Sequence, residues 1–291
     1  MKAVSKGGPP MLVGPRVWGR RLGIGLRQLL LAARNRFGRR SVLGDAHVVV
    51  SLTTHGARIR SVHYAIESIA RGVERPARLI LWVDHELDRS RFPAALRRLQ
   101  ARGLEILGTE DFGPHTKYYP YVRSIDDHAV ALVTADDDTL YPRTWLRQLV
   151  TAYEERPDVV SCLRAHVVGL AGDRIAPYAT WRPCQGPEPH VRNFATGVSG
   201  VIYPPGLLDQ LRRSGEGFRA ACQAADDVWL HLAALRHQFR IRQVGRSPQE
   251  FPTTLRSQAS SLRDGNVTGG RNDRIIAEAY GPADLARLLS E

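Results

Sequence analysis

The chain has 291 residues, 43% of them hydrophobic and 24% charged, which reads as an ordinary soluble globular protein of one large domain or two small ones. Its three cysteines (Cys162, Cys184, Cys222) show no pairing or C-x-x-C spacing, which argues against a disulfide framework or a zinc ribbon and fits a reducing compartment. The net charge of +12 is unevenly spread: residues 1–44 carry ten basic side chains and no acidic one, leaving 31 basic against 29 acidic elsewhere. The nearly neutral body argues against nucleic acid, whose phosphates would need contacts across a folded surface.

Within the basic tail, Trp18, Leu22, Leu26, Leu29, Leu30, Ala33 and Phe37 recur at three- and four-residue steps. On a helix they form one apolar stripe, with arginines mostly on the other face. No charge-free run approaches the roughly 20 residues that span a bilayer, and no small-residue cleavage site follows. A basic amphipathic helix over residues 15–37 suits an anionic membrane surface; packing on the body and a disordered arm are the other readings. The sequence thus divides into a tail, 1–44, and a domain, 45–291.

After the tail, strands alternate with helices. His47–Thr54 is β-branched and apolar, as a buried parallel strand should be. Ser61–Arg71 has helical spacing, Arg78–Val83 reads as a strand, Arg91–Ala101 as a helix and Leu104–Leu107 as a short strand. Ala129–Val133 is a fourth strand, Pro142–Glu155 a helix with an early proline, and Val159–Cys162 a strand. The Pro-, Gly- and aromatic-rich segment from Pro177 to Pro205 reads as ordered irregular structure near a site. Ala225–His237 is helical; Arg256–Arg274 is polar, with a sequon at Asn266 that matters only in a secretory setting; Ile275–Leu289 is a helix interrupted at Gly281-Pro282. The alternation predicts an α/β fold with a mostly parallel sheet flanked by helices.

In such sheets ligands bind beyond the carboxyl ends of the strands. Thr53-Thr54-His55, Trp82-Val83-Asp84 and Asp136-Asp137-Asp138 sit at three of those ends. Adjacent carboxylates repel and raise one another's pKa, so the triple aspartate needs solvation, a helix N-terminus or a cation. Asp136 and Asp138, at i and i+2, can point to one side as hard oxygen ligands for Mg2+ or Mn2+, with water and a substrate diphosphate completing the shell. The plainer reading is a solvated turn feeding the next helix.

Asp226 and Asp227 open a helix, where one can cap and the other act as a general base. Gly197-Val198-Ser199-Gly200 places small residues where a ligand can approach the backbone, or forms a tight bend. Lys117 offers a cation for a phosphate from a stretch that otherwise reads as an exposed aromatic loop; His115 beside it is a weak metal-ligand candidate. Arg58 reaches the same pocket or caps its helix.

The segments VVVSLTTHGARI, TADDDTLYP, GVSGVIYPP and ADDVWL, in that order, resemble the GT-A class of nucleotide-sugar-dependent glycosyltransferases, closest to bacterial members that build surface polysaccharides. The resemblance covers roughly residues 47–240. It implies a Rossmann-like domain with a D-x-D metal site of Asp136 and Asp138, holding Mn2+ or Mg2+ against the diphosphate of a sugar nucleotide. Thr53, Thr54, Arg58 and Asp84 would lie near the nucleotide, with Lys117 and Asp137 beside the diphosphate. Gly197, Ser199 and Gly200 would form the floor under a glycan or lipid-linked acceptor, with Trp229 beside it. Asp227, with Asp226 in place of the usual glutamate, would be the base of an inverting transfer. No histidine follows His237 to serve as a late metal ligand, which leaves the aspartates alone. The implied place of work is the cytoplasm, at the inner face of the cytoplasmic membrane. A sugar nucleotidyltransferase would normally carry a Gly-rich loop after the first strand, where this chain reads SLTTHGARI; the non-enzymatic alternative is a basic membrane- or nucleic-acid-binding protein.

Overall fold

The computed structural model describes residues 15–255 and 270–290. Lys2, Lys6 and the polar segment 256–269 with its sequon lie outside the described residues, as do the side chains of Arg16 and Trp18.

The centre is a sheet of β1 (Ala46–Thr53), β2 (Pro76–Asp84), β3 (Glu105–Thr109), β4 (Ala131–Ala135), β5 (Val160–Cys162), β11 (Val201–Tyr203) and β12 (Ile241–Gln243). Their order is β12-β5-β11-β4-β1-β2-β3. Only β11 runs against its neighbours, pairing antiparallel with both β4 and β5, so the sheet is mostly parallel, as expected. Between β5 and β11 the chain forms two small antiparallel sheets from β6 (Ala165–Val167), β7 (Leu170–Ala171), β8 (Arg174–Ile175), β9 (Arg182–Pro183) and β10 (Asn193–Ala195).

Strand residues alternate between two buried faces, which is why these strands read as continuous apolar runs. On one side Val48, Val50, Leu52, Leu79, Leu81 and Val133 pack under α2 (Val62–Ala70), α3 (Ala94–Gln100) and α5 (Trp145–Glu155). On the other, Val49, Ile80, Leu132 and Val201 pack under α4 (Tyr119–Arg123), α6 (Pro205–Arg213), α7 (Phe218–Ala221) and α8 (Asp226–Arg236). The interrupted terminal helix becomes α9 (Arg271–Ala279) and α10 (Pro282–Leu289), both against α8.

Some boundaries differ from the sequence reading. β4 starts at Ala131 and runs to Ala135, directly into Asp136, because its pairing with β1 carries it that far. Pro142 is not inside α5; its carbonyl accepts the amide of Trp145, and the helix starts there. The segment 177–205 contains β11, whose three apolar residues between Gly200 and Pro204 look like a bend without their neighbours. The stretch around Lys117 is no exposed loop: it is a short 3-10 turn with His115, Thr116, Tyr118 and Tyr119 buried. His115 bonds the Tyr118 hydroxyl and the Cys222 carbonyl, so both ring nitrogens are engaged.

The tail helix, α1 (Pro15–Phe37), packs its later half on α2 and α3. The fully buried Glu67 of α2 anchors it, accepting hydrogen bonds from Asn35 and Arg102 and standing at ion-pair distance from Arg34. Glu67→Ala would leave the buried Arg102 guanidinium uncompensated. It is expected to destabilise the fold by about 3–5 kcal/mol, measured as a fall in the urea midpoint.

Candidate active site

β4 delivers the triple aspartate to the carboxyl edge of the sheet. The turn after it is fixed on both sides. The Asp136 amide donates to the Tyr141 hydroxyl at 2.8 Å. Leu140 donates to the Pro252 carbonyl, and the Thr254 amide to the Asp138 carbonyl.

The three carboxylates go to different partners. Asp137 is buried, accepting from the Thr54 hydroxyl at 2.7 Å and from Arg58 at 2.9 Å. The same Arg58 nitrogen lies 3.7 Å from Asp138. Asp136 pairs with Lys117 at 3.2 Å, so Asp136 and Asp138 do not share a basic partner. Lys117 Nζ also stands 3.2 Å from Asp226 Oδ2, at ion-pair distance but outside hydrogen-bond geometry. Lys117 is itself placed by its backbone, whose carbonyl accepts the Ser51 hydroxyl of β1 at 2.7 Å.

Burial works against the Lys117 charge, but Asp136, Asp226 and Asp227 outweigh it and hold the ammonium protonated well above the ordinary lysine range. Burial likewise pushes the Asp136 carboxyl up, against the pull of Lys117.

The Asp pair of α8 departs from the capping expectation. The N-cap is Ala225, and no side chain caps the helix. Asp226 goes to Lys117, while Asp227 Oδ1 accepts the Gly197 amide at 3.0 Å. Both carboxylates are drawn to partners across the cluster, so neither turns back on its own helix. Burial and the neighbouring Asp226 raise the Asp227 carboxyl to about 7, the Lys117 charge and Gly197 amide only partly opposing them.

Gly197 suits this packing. A Cβ there would meet Asp227 Oδ1 at 3.1 Å and Lys117 Nζ at 3.4 Å. Gly200 answers a different need: its φ is +101°, and a Cβ would strike the Trp145 indole at 2.6 Å. Ser199 is fully buried and donates to the Gln249 carbonyl. Trp229 packs edge-on to Phe218 and over Gly217.

Thr53 donates to the Trp82 carbonyl within the sheet. Asp84 is exposed at the end of β2 and accepts the Glu86 amide. The structure therefore brings together Thr54, Arg58, Lys117, Asp136, Asp137, Asp138, Gly197, Asp226 and Asp227. Thr53, Asp84, Ser199, Gly200 and Trp229 contact other residues.

A cavity of about 80 Å³ opens beside Asp226 and Asp227, walled by Pro114, Tyr178, Phe194 and Asn272. Sequence reasoning missed Asn272 and did not single out Tyr178; only the aromatic richness of residues 177–181 pointed there. A larger cavity, about 430 Å³, lies away from the carboxylates between α1 and Glu250 and Pro252.

The donor set at Asp136 and Asp138 is hard oxygen, of the kind that suits Mg2+ or Mn2+. Among the described residues no group of three or more His, Cys, Asp or Glu could hold a metal ion. A cation here would draw its remaining ligands from phosphate and water.

Replacing Lys117 with Met is expected to destabilise the protein more at pH 8 than at pH 5. Without the ammonium, the carboxyl pKa values of Asp136 and Asp227, already raised, rise further above their unfolded values. That stability is present at low pH and is lost as the pH rises through the folded values. Urea unfolding at the two pH values measures the difference; equal losses would mean that Lys117 does not hold the cluster.

No protein-family model matches the chain, and no curated protein matches it. Among solved structures it is similar to the mannosyltransferase PcManGT from Pyrobaculum calidifontis in complex with GDP-Man and Mn2+. The identity is 13% and the TM-score 0.49, over 92% of this chain and 77% of that one. It is similar also to the 1–349 segment of S. aureus TarS, at 14% identity and a TM-score of 0.48, over 83% of this chain and 70% of that one.

Proposed function

We propose that this protein is a glycosyltransferase that moves a sugar from a nucleoside-diphosphate sugar to a hydroxyl of a glycan or lipid-linked acceptor, with inversion at the anomeric carbon. The observation that carries the reading is Asp227. Its carboxyl, raised to about 7, stands at a cavity beside an acidic turn on a strand's carboxyl edge. A general base works best with a pKa near the working pH.

In this reading the acceptor hydroxyl enters from the cavity side. Asp227, oriented by the Gly197 amide, takes its proton as the oxygen attacks the anomeric carbon. The bond from that carbon to the diphosphate breaks, and its electrons leave with the nucleoside diphosphate. A divalent cation, Mn2+ or Mg2+, would be held by Asp136 and Asp138 and, when bound, supplies Lewis-acid stabilisation of the departing diphosphate. Thr54 and Arg58 act through Asp137, which they hold. They fix the acidic turn, and the nucleotide lies along the ends of β1 and β2, toward Thr53 and Asp84. The acceptor chemistry suits polysaccharide assembly at the cytoplasmic face of a membrane.

Thermal-shift measurements with UDP, GDP, CDP and ADP, each with Mn2+, Mg2+ or EDTA, test the donor site. Stabilisation by one nucleotide is expected, and it should vanish with chelator and in the Asp136→Ala/Asp138→Ala variant. No shift under any condition would sink the reading. For the transfer itself, Asp227→Asn is expected to lower the rate by about 10²–10⁴-fold without loss of nucleotide binding.

The pH profile follows from the same carboxyl. A base must be ionised to accept a proton, so kcat/KM should fall about tenfold per pH unit below about 7 and level off above it. A profile flat from pH 5 to 8 would remove Asp227 from this role.

A further inference from the structure

The two sides of α1 are opposed. Leu31 and Asn35 turn inward and are buried, and Asn35 joins Glu67 and the Ala95 carbonyl. Directly opposite, Leu22, Leu26, Leu29, Leu30 and Phe37 are 61–79% exposed. Their spacing puts them on one stripe of the helix. A single exposed leucine is ordinary, but a continuous row marks a surface that meets something apolar.

The charge around the stripe says what that is. α1 contains no acidic residue; Arg36 is exposed beside the stripe, and Arg20 and Arg21 are exposed in the turn that precedes Leu22. A second copy of the helix would bring arginines against arginines. A nucleic acid would meet the charges and leave the leucines in water. Only a surface that is apolar within and anionic at its face satisfies both features. No helix among the described residues is long and apolar enough to cross a membrane, so the helix lies on that surface.

We infer that α1 seats the protein on an anionic bilayer, with Leu22, Leu26, Leu29, Leu30 and Phe37 at the headgroup–acyl boundary, Arg36 at the lipid phosphates, and Arg20 and Arg21 adding positive charge within reach of the surface. The bond network around Glu67 makes this a rigid mount. The mount is also close to the acidic turn. Gln28 of α1 accepts the Leu255 amide, and the adjoining Thr254 donates to the Asp138 carbonyl. Seating α1 therefore fixes where the carboxylate cluster stands relative to the lipid surface. The inference stands apart from the proposed chemistry, since it concerns binding without a donor or an acceptor.

Flotation of the full chain with phosphatidylcholine vesicles, with and without phosphatidylglycerol, tests it. Wild type is expected to float with the anionic vesicles, less so as salt is added, and to stay behind with the neutral ones. The Leu26→Ser/Leu29→Ser/Leu30→Ser variant should bind at least about tenfold more weakly. Arg20→Ala/Arg21→Ala/Arg36→Ala should lose about fivefold per arginine. Both variants should keep the wild-type melting temperature, because every altered side chain is exposed. Absence of flotation at low salt would overturn the inference. So would flotation unchanged by the leucine substitutions, or a solution dimer that they dissolve without any vesicle binding.

Discussion

Two cations hold the centre of this protein together. Lys117 serves Asp136 and Asp226; Arg58 serves Asp137 and lies near Asp138. Like charges 4 Å apart repel by about 4 kcal/mol where the effective dielectric is near 20, so a cluster of carboxylates cannot stand without such partners. The division pairs Asp136, Asp137 and Asp226 with the two cations, while Asp227 accepts the Gly197 amide. Asp227 has that one backbone amide and only a partial pull from Lys117, and it responds by holding its proton to about 7. The proposed base is thus the carboxyl the two cations leave under-compensated, and its proton affinity is a property of the whole cluster.

The sheet makes this division possible. β1 and β4 are neighbours in register, so Thr54 and the acidic turn emerge side by side at one edge. Ser51, within β1, reaches across to the backbone of Lys117 and fixes where its side chain starts. α8 enters from the far side of the sequence and brings two carboxylates at its first turn. Gly197 leaves the gap that lets Asp227 and Lys117 approach. Each piece is unremarkable alone; the cluster exists because five separate segments meet at one edge.

Much of this was legible in the sequence. The strand–helix alternation and the position of Asp136–Asp138 follow from apolar periodicity, which burial on both sheet faces enforces. Asp227, Lys117 and Gly197 were legible as residue types near a site. Their partners were not, because pairing is decided across 19 to 109 residues of chain. Thus Asp226, read as a possible cap, instead joins Lys117, and Arg58 and Thr54, expected near a nucleotide, hold Asp137. β11 escaped because three residues carry too little periodicity, and a strand inserted antiparallel between two parallel neighbours is a tertiary fact. Ser199 and Gly200 stand out in the sequence for their smallness, and the reason for that smallness is the Trp145 ring and the Gln249 carbonyl.

α1 shows a different limit of periodicity. A stripe of leucines ordinarily marks the side of a helix that faces the core. Here the helix docks by its other side, through Leu31 and a buried network of Asn35, Glu67, Arg34 and Arg102. Burying charged groups is costly unless each is matched, and removing one partner is costlier still. The network therefore tolerates little sliding or rolling, and it specifies one orientation more sharply than greasy contact would. A helix meant only to add to the core would turn its leucines inward. One that is locked by charges on the inside and lined with leucine on the outside presents an apolar surface at a fixed angle, which is what the proposed bilayer contact requires.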